Sequence, residues 1–340
     1  MRFFLVSICS LLLTAPMLGS QTPPVPDDSL AKAHAAMERD RPDEAIALLQ
    51  QLATAQPAQK GVQHELGLAY YRTGKLVEAR KAFEQAMAED ATDRESVQME
   101  GLVLYRLGQP GAAIPYLERV LQWMPNANAD AKYVLGLCYL NAQRYDDARA
   151  SFAAEFGLDP NSGGAYLLLG SMLRHANLPE LAAVQAHKAL EISPNLPLAH
   201  FMLGDVALFK SNIDLAISEL EAERRINPDY APVYDRLGDA YLRVDKLEEA
   251  QQALTKAIAL DTTLTGSFIK MGRVLLHRQD LQTAIMYLKH AEKMDPDDFT
   301  THTLLSQAYH RVGLEDDAKR ESALGSKIHT DNQLKLSPDK

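Results

Sequence analysis

Residues 227–250 read NPDYAPVYDRLGDAYLRVDKLEEA. Three tyrosines share two dozen positions with aspartates, glutamates and basic residues, a mixture capable of acid–base work. Whether the stretch is a site or a piece of architecture depends on whether it recurs. Its last residue, Ala250, belongs to the series Ala45, Ala79, Ala113, Ala148, Ala182, Ala216, Ala250, Ala284 and Ala318, spaced by 34 residues with one step of 35. Twelve positions earlier stand Gly67, Gly101, Gly136, Gly170, Gly204, Gly238 and Gly272, with Ala33 and Ser306 in the end units. Twelve positions later come Pro57, Pro125, Pro160, Pro194, Pro228 and Pro296. Three series in phase at one period mean a repeat architecture.

Each period splits into two apolar patterns of helical spacing, such as VYDRLGDAYLRV and LEEAQQALTKAIAL, joined by a few polar residues. A pair of antiparallel helices is expected per unit. Glycine inside a helix costs about 1 kcal/mol relative to alanine, so its return needs a compensating close approach of the partner helix. The recurrent alanine fits the same crossing, where a larger side chain would push the helices apart. Proline ends the second helix and sets up the next turn.

These positions resemble the framework of the tetratricopeptide repeat family. In the unit starting at Ala231 it reads Tyr234, Leu237, Gly238, Tyr241, Ala250, Leu254 and Ala257, with Thr262 where proline is commonest; the unit starting at Lys60 has Leu66, Gly67, Tyr70, Ala79, Phe83 and Ala86. The resemblance implies an all-α, right-handed superhelical solenoid of antiparallel helix pairs. About nine repeats, starting at 26, 60, 94, 129, 163, 197, 231, 265 and 299, cover residues 26–329. Flexible segments are expected at 21–28 and 330–340, and the departures at Ala33, Ser306 and Ser322 suit end units with a wetter outer face.

The 46% hydrophobic content allows a large core, and 24% charged residues is ordinary for a soluble protein. A net charge of −10 argues against a dedicated nucleic-acid binder. The opening MRFFLVSICSLLLTAPMLGSQTPPVP has one basic residue, an apolar core and small residues before a polar run, the layout of a secretory signal peptide over 1–20. An uncleaved anchor is the rival reading, but Phe3 to Leu18 is about 16 residues against the roughly 20 needed to span a bilayer. The expectation is an exported chain, periplasmic or extracellular, with no stable membrane insertion after cleavage. Cys138 would then be its one cysteine, placed in the apolar run VLGLCYL as a small buried hydrophobe.

No motif points to catalysis. The glycines are isolated rather than clustered as a phosphate loop. His277 and His310 occupy similar positions in adjacent units but lack metal-ligand spacing, so neither a metal nor a cofactor is expected. Asp235 and Asp239 lie one turn apart and could share a cation, against the blander reading of solvated carboxylates.

The resemblance implies that the first helix of each unit lines a concave groove. Its early part draws on Leu68, Tyr71, Leu102, Tyr105, Tyr133, Leu137, Leu140, Leu167, Phe201, Leu208 and Phe209, an apolar and aromatic trough. Its later part draws on Asp235, Arg236, Asp239, Arg243, Lys270, Arg273, His277, Gln307, His310 and Arg311, a charged end. Arginine also recurs late in the first helices, at Arg72, Arg106, Arg174, Arg243 and Arg311. The trough side chains could equally pack against neighbouring units, and the arginines could simply cap helix ends. The expected function is a non-enzymatic exported scaffold binding a peptide or partner protein, with a bacterial cell-envelope role. Self-association with an idle groove, and a groove-built glycan or metal site or enzyme, are the alternatives.

Overall fold

The computed structural model describes residues 28–124 and 129–336; the expected signal peptide and most of the 21–28 linker lie outside them. Two compact bodies divide the chain at residue 109/110. The first holds α1 (Ser29–Glu38), α2 (Pro42–Ala55), α3 (Val62–Arg72), α4 (Leu76–Glu89) and α5 (Arg94–Arg106). The second holds α6 (Pro110–Trp123), α7 (Ala129–Asn141), α8 (Tyr145–Glu155), α9 (Gly163–His175), α10 (Pro179–Ile192), α11 (Ala199–Phe209) and α12 (Ile213–Ile226). It continues with α13 (Ala231–Arg243), α14 (Leu247–Leu260), α15 (Thr265–His277), α16 (Leu281–Met294), α17 (Phe299–Arg311) and α18 (Glu315–Leu336). Within each body every helix packs on the next in sequence, and no strand occurs among the described residues. The chain is all-helical, built of paired helices whose first members begin within three residues of the expected unit starts.

The glycine series has the expected steric cause, with a specific partner. A Cβ placed on Gly238 would lie 2.5 Å from Cγ of Leu254, one on Gly272 2.5 Å from Cγ of Leu288, and one on Gly136 2.6 Å from the Phe152 ring. The side chain sixteen residues on, from the second helix of the same pair, fills the space that the missing Cβ leaves. Those residues, Phe152, Leu254 and Leu288, are fully buried, and the alanines from Ala45 to Ala284 are buried around them.

A second periodicity lies in the backbone. The turn between the helices of each pair carries one left-handed residue, at Asp40, Gly74, Gly108, Gln143, Asn177, Ser211, Asp245, Gln279 and Gly313. The following amide then donates to a carbonyl five residues back, as from Lys75 to Tyr70 and from Asp280 to Leu275, both at 2.9 Å. This pairing satisfies carbonyls that the helix end leaves open and turns the chain sharply into the second helix. Prolines act at the other turn: Ser193, Asn227 and Asp295, each preceding one, leave the helical region at φ near −135°.

The end of the last unit differs from expectation. Residues 330–336, expected as a flexible tail, continue α18. No glycine or proline interrupts the stretch before Pro338, Ile328 is buried, and the Thr330 hydroxyl donates back to the Ser326 carbonyl at 2.9 Å. No described helix is long and apolar enough to cross a membrane.

Candidate functional site

The first body carries Tyr71, Arg72, Leu102, Tyr105 and Arg106 on α3 and α5. Arg106 lies over the Tyr71 ring with its guanidinium carbon 4.7 Å from the centroid, a cation–π contact between adjacent first helices. Arg72 Nη1 donates to the Met37 carbonyl at 3.0 Å, a second donor to a carbonyl in the last turn of α1 that also accepts from the Asp40 amide. Leu102 and Tyr105 are half-buried.

The same device returns in the second body. Arg243 Nη1 donates to the Leu208 carbonyl at 3.2 Å and Arg311 Nη1 to the Leu276 carbonyl at 3.0 Å, each spanning 35 residues. Three of the five recurrent arginines are therefore inter-repeat caps rather than free cations. Arg174 instead faces Asp205 at 3.8 Å.

Asp205 opens a ladder of charges across four first helices. Its other oxygen accepts from Arg236 Nε at 2.8 Å, Arg236 reaches Asp235 at 3.3 Å, and Lys270 Nζ donates to both Asp235 oxygens at 2.7 Å. Ser267 Oγ adds a bond to Asp235 at 2.7 Å. Asp235, expected to look into an open groove, is instead 8% exposed and fully engaged. Asp239 is mostly buried and tied to Arg243 at 2.8 Å one turn on. The cation-sharing reading of Asp235 and Asp239 fails for the same reason: each carboxylate already has its cation.

The tyrosines of the opening stretch are equally engaged. Tyr234 donates to the Pro228 carbonyl at 2.8 Å and Tyr241 to Glu221 at 2.9 Å. Burial and the neighbouring carboxylate push the Tyr241 phenol up to about 12, so it is not poised for proton transfer. Tyr230 packs its ring edge-on against Phe201, with centroids 5.3 Å apart.

A smaller set remains open. Phe209, at the end of α11, is 70% exposed and lines a cleft of about 190 Å³ with Arg174, Asn177, Pro179, Asp205 and Val206. Tyr133 is 37% exposed, leaning on Phe152, while Leu137 is half-buried and Leu140 and Leu208 are buried. Arg273 is half-buried, with no hydrogen-bond or ion-pair partner among the described residues. His277 is exposed, 4.0 Å from Asp245, and His310 pairs with Glu315 at 2.9 Å; the two do not converge. Cys138 is fully buried, and burial pushes its thiol up to about 12, which makes it inert.

Two buried polar features escaped the sequence reading. Glu100 stands immediately before Gly101, where other units have Leu66, Leu135, Leu169, Leu203, Leu237 and Leu305. It has no exposed surface; Oε1 accepts from Arg80 at 3.3 Å and Oε2 has no partner among the described residues. Burial, aided by the Glu84 charge, raises its pKa from 4.5 to about 7. The stability of the fold at this position is therefore full below pH 4.5 and falls as pH rises through about 7, by about 3 kcal/mol. Urea unfolding of the full chain across that range checks it, and Glu100→Leu should abolish that part of the pH dependence. The second feature is His302 with Glu321 and Glu292, the one group of three potential metal ligands among the described residues.

A tetratricopeptide repeat model matches residues 36–99 and 104–169, and a second tetratricopeptide repeat model matches 231–263. Residues 36–99, 104–169 and 231–263 carry tetratricopeptide repeats. Among solved structures it is similar to the APC/C hetero-tetramer Cut9–Hcn1, at 19% identity over 83% of this chain with a TM-score of 0.46; the match spans only 55% of that chain. It is also similar to MamA, at 23% identity over 48% of this chain and 96% of that one with a TM-score of 0.44. A MamA structure from Desulfovibrio magneticus RS-1 matches at 23% identity over 49% of this chain and 93% of that one, with a TM-score of 0.40. No curated protein matches the chain.

Proposed function

We propose that this tetratricopeptide repeat chain is a non-enzymatic scaffold that holds a peptide segment of a partner protein on the first helices of its second body. The carrying observation is Phe209, 70% exposed beside Arg174 in a cleft whose Asp205 is engaged by Arg174 and Arg236. Leaving a phenylalanine in water forgoes about 2 kcal/mol of burial, which a partner's apolar side chain recovers. Exposed aromatics of this kind are typical anchors of protein interfaces.

The setting we propose is outside the cytoplasm, in the envelope of a bacterium, on the strength of the signal-like residues 1–20. Sequencing the N-terminus of the exported chain tests this: a start near Gln21 supports it, and a start at Met1 overturns cleavage.

Partner capture tests the binding surface. The full chain with Tyr133→Ala and Phe209→Ala should recover at least about tenfold less partner from envelope extracts, the loss expected of an aromatic anchor. Undiminished capture overturns the surface. Undiminished capture together with a chain mass that rises with concentration favours self-association instead.

A further inference from the structure

The last two helix pairs bring three donor side chains to one place. Glu292 comes from α16, His302 from α17 and Glu321 from α18, and one donor atom from each lies within 4.8 Å of the others. His302 is 1% exposed and Glu321 3%, with Glu292 half-buried at the rim.

The hydrogen bonds of His302 constrain what stands between these groups. Its Nε2 lies 2.9 Å from the Pro296 carbonyl, which can only accept, so Nε2 carries a hydrogen. Its Nδ1 lies 2.8 Å from Oε2 of Glu321, a carboxylate oxygen that is also an acceptor. A cation must sit between Nδ1 and Oε2, either a proton or a metal ion. One ring nitrogen held by a backbone carbonyl while the other faces a carboxylate is the outer-shell arrangement of metal-binding histidines. We infer that Glu292, His302 and Glu321 form a site for a divalent transition cation, with zinc as its natural occupant, which takes the place of the proton between His302 and Glu321.

The donor set fits that ion. Imidazole and carboxylates suit zinc, at bonds of about 2.0–2.2 Å. Tetrahedral bonds of that length hold donors about 3.3 Å apart, so the His302–Glu321 gap widens by about half an ångström on loading. Two cations stand at the edge: Lys289 bonds Glu292, and Arg320 Nη2 lies 3.9 Å from the other oxygen of Glu321. Lys289 is the group the metal displaces, because the ion takes a Glu292 oxygen.

The chain contains its own control. His200 and Glu219 form the same pair in an earlier unit, again nineteen residues apart, with Nδ1 2.7 Å from Oε2. At the position of Glu292 the preceding unit has Leu190, so the third ligand is missing there. A histidine–glutamate pair is thus part of the repeat's repertoire, and the added carboxylate and deeper burial single out the later one.

The test is zinc titration of the chelator-stripped full chain by calorimetry, with wild type, His302→Gln, Glu292→Gln and His200→Gln compared. One site per chain is expected, weakened at least about tenfold by His302→Gln and by Glu292→Gln and unchanged by His200→Gln. Glu292 is at the rim, so Glu292→Gln keeps the fold even where His302→Gln does not; circular dichroism checks this. No saturable zinc binding by the wild type leaves a proton-bridged pair and overturns the inference. So does binding that survives Glu292→Gln, or that falls equally with His200→Gln. None of these results depends on partner capture, so the two readings fail separately.

Discussion

Asp235→Ala should destabilise the second body by about 3–5 kcal/mol, far beyond the fraction of a kilocalorie expected for an exposed carboxylate. The side chain is mostly buried and receives Lys270 Nζ on both oxygens, Ser267 Oγ on one and Arg236 on the other. Truncation leaves the largely buried Lys270 ammonium without its counter-charge, and uncompensated buried charge is the costly part of breaking such a pair. Urea unfolding of the full chain measures the loss. Asp235→Ala combined with Lys270→Met should cost clearly less than Asp235→Ala alone, because the orphaned cation goes with it.

Gly238→Val is the second large effect, at about 3 kcal/mol. The added Cβ would meet Cγ of Leu254 at 2.5 Å, and Leu254 is fully buried with no room to retreat. Overfilling a packed core costs about 1–3 kcal/mol, the upper end applying at so short a contact, and going from glycine to the poor helix former valine returns only a few tenths of a kcal/mol in helix propensity. Leu254→Ala alone opens a cavity and costs about 2–5 kcal/mol. With both changes present the valine fills what the leucine vacated, so the pair should cost at least about 1 kcal/mol less than the sum.

Both effects rest on residues the sequence treats differently. Gly238 and Ala250 are legible because one residue type recurs wherever a helix pair crosses, and the steric demand leaves few substitutes. The left-handed turn residue recurs just as faithfully at the same period, yet Asp40, Gly74, Gln143, Asn177 and Ser211 all fill it. A demand on φ that several residue types tolerate leaves no repeating letter, which is why that series escapes a reading by identity.

The internal pairing of Asp235, Arg236 and Lys270, residues expected at the charged end of the groove, escaped the sequence for a different reason. Arg236 meets Asp205 across 31 residues, and Lys270 meets Asp235 across 35. Both offsets are close to one repeat, so the partners sit on neighbouring first helices. Reading each unit alone sees Asp235, Arg236 and Lys270 as charges facing a groove; reading successive units together pairs them. Arg72, Arg243 and Arg311 likewise reach a carbonyl one repeat back, a partner with no side-chain signature at all. Glu100 was visible in principle, as an acid in a column of leucines, and so was the continuation of α18 past residue 330, since nothing before Pro338 breaks the helix.

The first helices of the second body leave over the exposed aromatics Tyr133 and Phe209 beside the exposed polar groups of Arg174, Arg243 and His277. The residues that gave 227–250 the look of an active site fasten repeats together, and Phe209 is the exposed aromatic beside them. Partner capture by the full chain carrying Phe209→Ala alone, with its urea unfolding measured alongside, separates these roles most directly. The account predicts capture reduced about tenfold with an unfolding midpoint equal to that of the wild type. Intact capture, or a midpoint that falls as it does for Asp235→Ala, would contradict it.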